Sequence, residues 1–75
     1  MKLSKGKIGQ KFEIIRLENE ENVLKLMEMG CLPGETLVIE NKGPWGDPIS
    51  IMVSGYRLSL RISEAESIDV KEINI

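Results

Sequence analysis

Apolar and polar positions alternate along most of this chain and break into helical spacing once. After a turn at Gly9, the run Lys-Phe-Glu-Ile-Ile-Arg-Leu, ending at Leu17, is rich in aromatic and β-branched residues and predicts a first strand over Gly9 to Leu17. Asn19 then offers an N-cap, with Glu20 and Glu21 where the positive end of a helix dipole favours acids. Val23, Leu26, Met27 and Gly30 recur at helical spacing while Lys25 and Glu28 take the other side, so a helix is predicted from Asn19 to Met29. Leu24 and Met29 widen its apolar stripe beyond what a short helix covers against a sheet, which is how a contact surface for a partner begins. Thr36 to Lys42 reads as a second strand, with Leu37 and Ile39 on one face and Val38 and Glu40 on the other. Ile49, Ile51 and Val53 alternate with Ser50, Met52 and Ser54, and Tyr56, Leu58 and Leu60 with Arg57, Ser59 and Arg61, around a turn at Ser54-Gly55. That is a hairpin. A single helical turn over Glu64 to Glu66 after Ser63 and a closing strand from Ile68 to Ile73 complete the pattern.

The breaks between these runs have their own mechanics. Gly30 stands where a helix C-terminal cap needs a left-handed residue, and Pro33-Gly34 turns the chain toward the next strand, since Pro fixes one φ and Gly accepts a positive one. Asp47 before Pro48 reads as the closure of an Asx-type turn, and Gly55 as the hairpin turn. Five short strands with one inserted helix are too few for two packed sheets, and closing them into a small barrel removes exposed edges.

Three blocks of this sequence, Leu-Met-Glu-Met-Gly-Cys-Leu-Pro-Gly over 26–34, Gly-Asp-Pro-Ile over 46–49 and Gly-Tyr-Arg-Leu-Ser-Leu-Arg over 55–61, resemble the FeoA family of small cytosolic proteins of bacterial ferrous iron uptake. The resemblance runs from about Gly9 to Val70. It implies a mainly β fold with one or two short helices: a small SH3-like β-barrel with the helix inserted after the first strand. The element order read above agrees, and an OB-like arrangement is the alternative that periodicity does not separate.

Composition narrows the function classes. With 75 residues the chain is expected to be a single domain over 1–75, near the size where one core supplies only a few kcal/mol beyond the ordering entropy, so a deep enzyme cleft is not expected. Hydrophobic content of 41% and charge of 29% suit a soluble globular protein, and no apolar run has membrane-spanning length. Lys2, Lys5 and Lys7 are not followed by an apolar stretch, so no secretory signal is read and a cytoplasmic location without membrane insertion is expected. The net charge of -2 hides a Lys-rich segment over residues 1–8, continued by Lys11, which reads as a solvated tail. Phe12, Trp45 and Tyr56 are scattered, unlike the clustered aromatics and basic face of a nucleic-acid binder.

The chemical inventory points away from catalysis. Histidine is absent, and Cys31, the one cysteine, lies past a helix C-terminus where the dipole disfavours a thiolate, so it reads as a small, partly buried hydrophobe. Glu64, Glu66 and Asp69 lack calcium-loop spacing, and without His or a Cys pair no specific transition-metal site is expected. No enzyme activity, cofactor or metal ligand is assigned, although transition-metal binding is a general label of the resembled family. Met27, Leu32, Trp45, Met52 and Arg57 are expected to form the partner-binding surface, from surface parity and loop position and from the Met, aromatic and Arg content of interface cores. Trp45, at the tip of a Gly/Pro loop, is either a lid on the barrel end or a group presented to a partner, whereas Tyr56 shares the inward parity of Leu58 and Leu60 and is expected in the core with its hydroxyl at the rim.

The resemblance implies a non-enzymatic module that docks on the cytoplasmic part of the FeoB ferrous iron transporter and supports or regulates it. Weak self-association is left open. The alternative is an SH3-like regulatory module related to the C-terminal domain of iron-dependent repressors, which the absence of a helix-turn-helix disfavours.

Overall fold

A computed structural model describes residues 1–74. Five strands, β1 (Lys11–Leu17), β2 (Thr36–Lys42), β3 (Ile49–Val53), β4 (Tyr56–Leu60) and β5 (Ile68–Glu72), form one sheet ordered β4-β3-β2-β1-β5. Every neighbouring pair is antiparallel. Helix α1 (Glu20–Glu28) is inserted between β1 and β2, and α2 (Ile62–Ala65) links β4 to β5. This is the SH3-like arrangement.

Side-chain alternation decides what lies inside the curled sheet. Phe12 and Ile14 of β1, Leu37 and Ile39 of β2, Ile49, Ile51 and Val53 of β3, Leu60 of β4 and Ile68 and Val70 of β5 are all buried in one cluster with Leu26 of α1 and Cys31. Register irregularities between Ile14 and Arg16 and between Ile39 and Asn41 mark β-bulges, which sharpen the twist that curls so short a sheet. Ser54 and Gly55, with φ of 51° and 84°, make the tight left-handed turn between β3 and β4.

Three expectations need correction. The barrel is not closed by hydrogen bonds: β4 and β5 are the two ends of the ladder, because the chain passes between them through α2 and re-enters the sheet beside β1. The Lys-rich N-terminal segment is not a solvated tail. Leu3 is fully buried, residues Leu3–Lys5 form a 3-10 turn, Val70 N–H donates to Met1 O at 2.7 Å, and Lys2 Nζ lies 2.6 Å from Glu18 Oε2. The Leu3 side chain and two acidic partners, Glu18 for Lys2 and Asp69 for the Met1 amino group at 3.0 Å, thus hold a segment whose composition alone looked soluble. The second helix also starts earlier than expected, at Ile62, since Glu64 accepts from Arg61 N–H at 2.8 Å and so draws Arg61 into the cap position.

Candidate docking surface

The end of α1 and the β3–β4 hairpin meet. Asn19, as expected, caps the helix through its side-chain oxygen and the Glu21 N–H at 3.2 Å. The chain leaves the helix through Gly30 at φ 96°, and a side chain there would also collide with the Tyr56 hydroxyl. That hydroxyl donates to the Met29 carbonyl at 2.9 Å, supplying a partner for one of the orphan acceptors at a helix end. Ser54 Oγ donates to Glu35 Oε2 at 3.2 Å on the same side, so hairpin, helix end and the Pro33-Gly34 turn are laced together.

Tyr56 is therefore not a core residue. It pairs with Val53 directly beside the turn, where the barrel interior runs out, and it is 46% exposed. The segments next to it also carry exposed apolar side chains: Leu24, at 68%, and Met27 lie one helical turn apart on α1, and Leu32 comes two residues after Gly30. Only Leu26 of α1 is buried. The broad apolar stripe read from the sequence is thus only partly covered: Leu24 and Met27 are exposed, Val23 and Met29 half-buried.

Met52 and Arg57 stand elsewhere. They are register partners on the outer face of β3 and β4, with Arg57 exposed and its Nε 2.6 Å from Glu40 Oε1 of β2. Glu40, Asn41, Ser50 and Arg57 line a shallow open hollow on that face. Trp45 lies apart from both groups. Its loop leaves the sheet where Lys42 pairs with Ile49, at the end opposite the Ser54–Gly55 turn, and the indole is 101% exposed on a backbone with φ 65°. Of the two readings for Trp45, the lid is excluded by this exposure. The five expected contact residues therefore form a helix-end pair, an outer-sheet pair and a separate loop tip. Leu24 and Tyr56, which the sequence assigned to the stripe and the core, are further exposed groups, and Tyr56 ties the hairpin to the helix end.

Asp47 has a different job from the Asx turn expected of it. Its Oδ1 accepts from Ile62 N–H at 3.0 Å, so the loop that carries Trp45 supplies a cap to α2. Glu64 of α2 is almost fully buried, 7% exposed, and its carboxylate is held by Lys25 Nζ at 2.6 Å and by the Arg61 N–H. These hydrogen bonds, Lys25 first, hold its pKa below the usual glutamate range against the opposing effect of burial. Cys31, completely buried, has its thiol pKa pushed up to about 11 by burial and then by the nearby Glu64 charge. The thiol stays protonated and inert at neutral pH. Among the described residues no group of three or more His, Cys, Asp or Glu side chains converges as a metal site, and no helix is long and apolar enough to cross a membrane.

The fold is an SH3-like barrel with apolar and Arg side chains exposed outside and a protonated thiol buried inside. The chain belongs to the FeoA family: the FeoA domain matches residues 1–72. It is 32% identical over 75 residues to the Fe(2+) transport protein A/Fe(2+) transporter FeoB fusion protein of Porphyromonas gingivalis, a match that covers 99% of this chain and 9% of the length of that protein. The solution structure of an FeoA-like protein from Clostridium acetobutylicum is 38% identical and superimposes with a TM-score of 0.93 over 100% of this chain and 88% of that one. FeoA of Stenotrophomonas maltophilia, solved in complex with zinc and described as an SH3 domain protein, is 30% identical with a TM-score of 0.82, covering 95% and 89% of the two chains. IdeR of T. acidophilum, 20% identical with a TM-score of 0.84 over 97% of this chain and 34% of that one, shares the fold alone.

Proposed function

We propose that this chain is a non-enzymatic, cytoplasmic accessory module of ferrous iron uptake that docks on the cytoplasmic part of a FeoB-type transporter and supports or regulates it. The observation that carries the reading is the fusion of a related sequence to FeoB in one polypeptide, which keeps the two permanently side by side. The surface agrees in chemistry. Met27, Leu32, Trp45, Met52 and Arg57 offer Met, aromatic and Arg side chains of the kind enriched in interface cores, and none of the five belongs to the buried core cluster. Placed on separate patches, they suit a partner that wraps the helix end and the outer sheet rather than one flat contact.

The test is a titration of the chain against the isolated cytoplasmic part of the transporter. Met27→Ala, Met52→Ala and Arg57→Ala are expected to keep the melting temperature within a few degrees. A residue central to an interface costs more than ~1 kcal/mol when truncated, about a fivefold loss of affinity. Stable variants that bind as the parent does would remove these residues from the contact, and no binding by the parent chain would remove the proposal itself.

A further inference from the structure

The two ends of the ladder are treated differently. Outside β5, the N-terminal residues are laid along the edge: Lys2 bridges to Asp69, Val70 N–H donates to Met1 O, and the α-amino group of Met1 reaches Asp69 Oδ1 and Val70 O, both at 3.0 Å. Outside β4, no backbone partner is recorded among the described residues. The two-residue turn makes Val53 and Tyr56 a hydrogen-bonded pair, and alternation from there makes Leu58 and Leu60 bond inward to Ile51 and Ile49. Arg57 and Ser59 therefore turn their N–H and C=O groups away from β3. The next residue of that parity, Arg61, is already used, its N–H by Glu64 and its C=O by Glu64 and Ala65.

We propose that this edge pairs with the same edge of a second copy of the chain, antiparallel about Leu58. In that register Arg57 faces Ser59 of the second copy and Ser59 faces its Arg57, so each outward N–H and C=O of both residues meets its complement. Leu58 faces Leu58 of the second copy at a non-hydrogen-bonded site, where side chains come closest. No like charges stand directly opposite, and Glu40 already neutralises Arg57, 2.6 Å away, on the outer face. The operation is a two-fold and closes on itself, so the ladder stops at two copies. It is also short, because Arg61 ends the run of free groups. The buried area falls well below the ~1,000 Å² of a lasting interface, and the pair is a weak one that forms at high local concentration. The pairing does not rest on transporter docking, although Arg57 belongs to both surfaces.

Dilution of the ¹⁵N-labelled full chain from millimolar to micromolar concentration, followed by amide shifts and sedimentation, tests this. Concentration-dependent shifts are expected at Arg57, Leu58 and Ser59, with slowed amide exchange at Arg57 and Ser59 in the concentrated sample. Ser59→Arg places a guanidinium opposite Arg57 of the second copy and is expected to weaken association several-fold. Ser59→Glu, in the same place, is expected to strengthen it. Both point to solvent and leave the β3–β4 bonds alone, which the unchanged remainder of the spectrum verifies. A strictly monomeric chain at millimolar concentration, association whose shifts centre on Leu24, Met27 and Leu32, or two Ser59 variants that associate equally would each overturn the proposal.

Discussion

Gly30 is held by two separate constraints, a left-handed backbone that disfavours any side chain and the Tyr56 hydroxyl packed where a Cβ would go. Gly30→Val is therefore expected to destabilise the fold by more than the ~1 kcal/mol of the backbone term alone, measured by urea unfolding. Tyr56→Phe separates the two effects: it removes the donor to Met29 O, keeps the ring, and should cost ~1 kcal/mol. The Cys31 thiol gives a spectroscopically silent but chemically readable residue. Alkylation by iodoacetamide at pH 8 is expected to be slow in the native chain and fast in urea, since burial raises the pKa to about 11 and also blocks access. Rapid native labelling would mean that the turn after α1 opens readily.

The loop from Gly43 to Pro48 is an element with two ends of opposite character. Asp47 is tied to Ile62 of α2, whereas Trp45 touches nothing that would notice its loss. Asp47→Ala is expected to cost ~1 kcal/mol, as loss of a helix cap does, and Trp45→Ala almost nothing; thermal melts of both variants check the contrast. This loop also shows where sequence reasoning stopped. Strand parity, the Asn19 cap and the Gly30 stop were legible because each is set by neighbours in the chain. The burial of Leu3 and the capping by Asp47 join residues far apart in sequence, and no local period announces them. Tyr56 failed for a related reason: parity gave its face correctly, but how far the core extends along a strand is decided by the elements packed over it. For the contact surface, outward placement of Met52 and Arg57 followed from period two, while their separation from Trp45 depended on which end of β3 each segment joins.

Across the whole molecule, the acids that bind its segments together share one sign. Glu64, held by Lys25 and the Arg61 N–H, Asp69, held by the Met1 amino group, and Glu18, held by Lys2, all have pKa values below the ordinary range. Their contribution is complete at neutral pH, begins to fade below the unfolded carboxylate values of ~4, and is lost as pH falls through the lowered folded values. Stability is thus expected to be flat from pH 7 to 5 and to fall steeply below 4, with Lys25→Met flattening the acid limb in urea titrations. Helix α1 adds a different consequence. It is secured by one fully buried side chain, Leu26, by the half-buried Met29 at its end, and otherwise by the polar ties Lys25–Glu64, Asn22–Ser67 and Tyr56–Met29. Lifting it uncovers little apolar area, so its opening free energy lies well below that of the barrel. In native-state hydrogen exchange α1 should behave as its own cooperative unit, trading amide protons while β2 and β3 remain closed, and its protection factors, corrected for the slower intrinsic exchange in acid, should fall further as Glu64 takes up its proton.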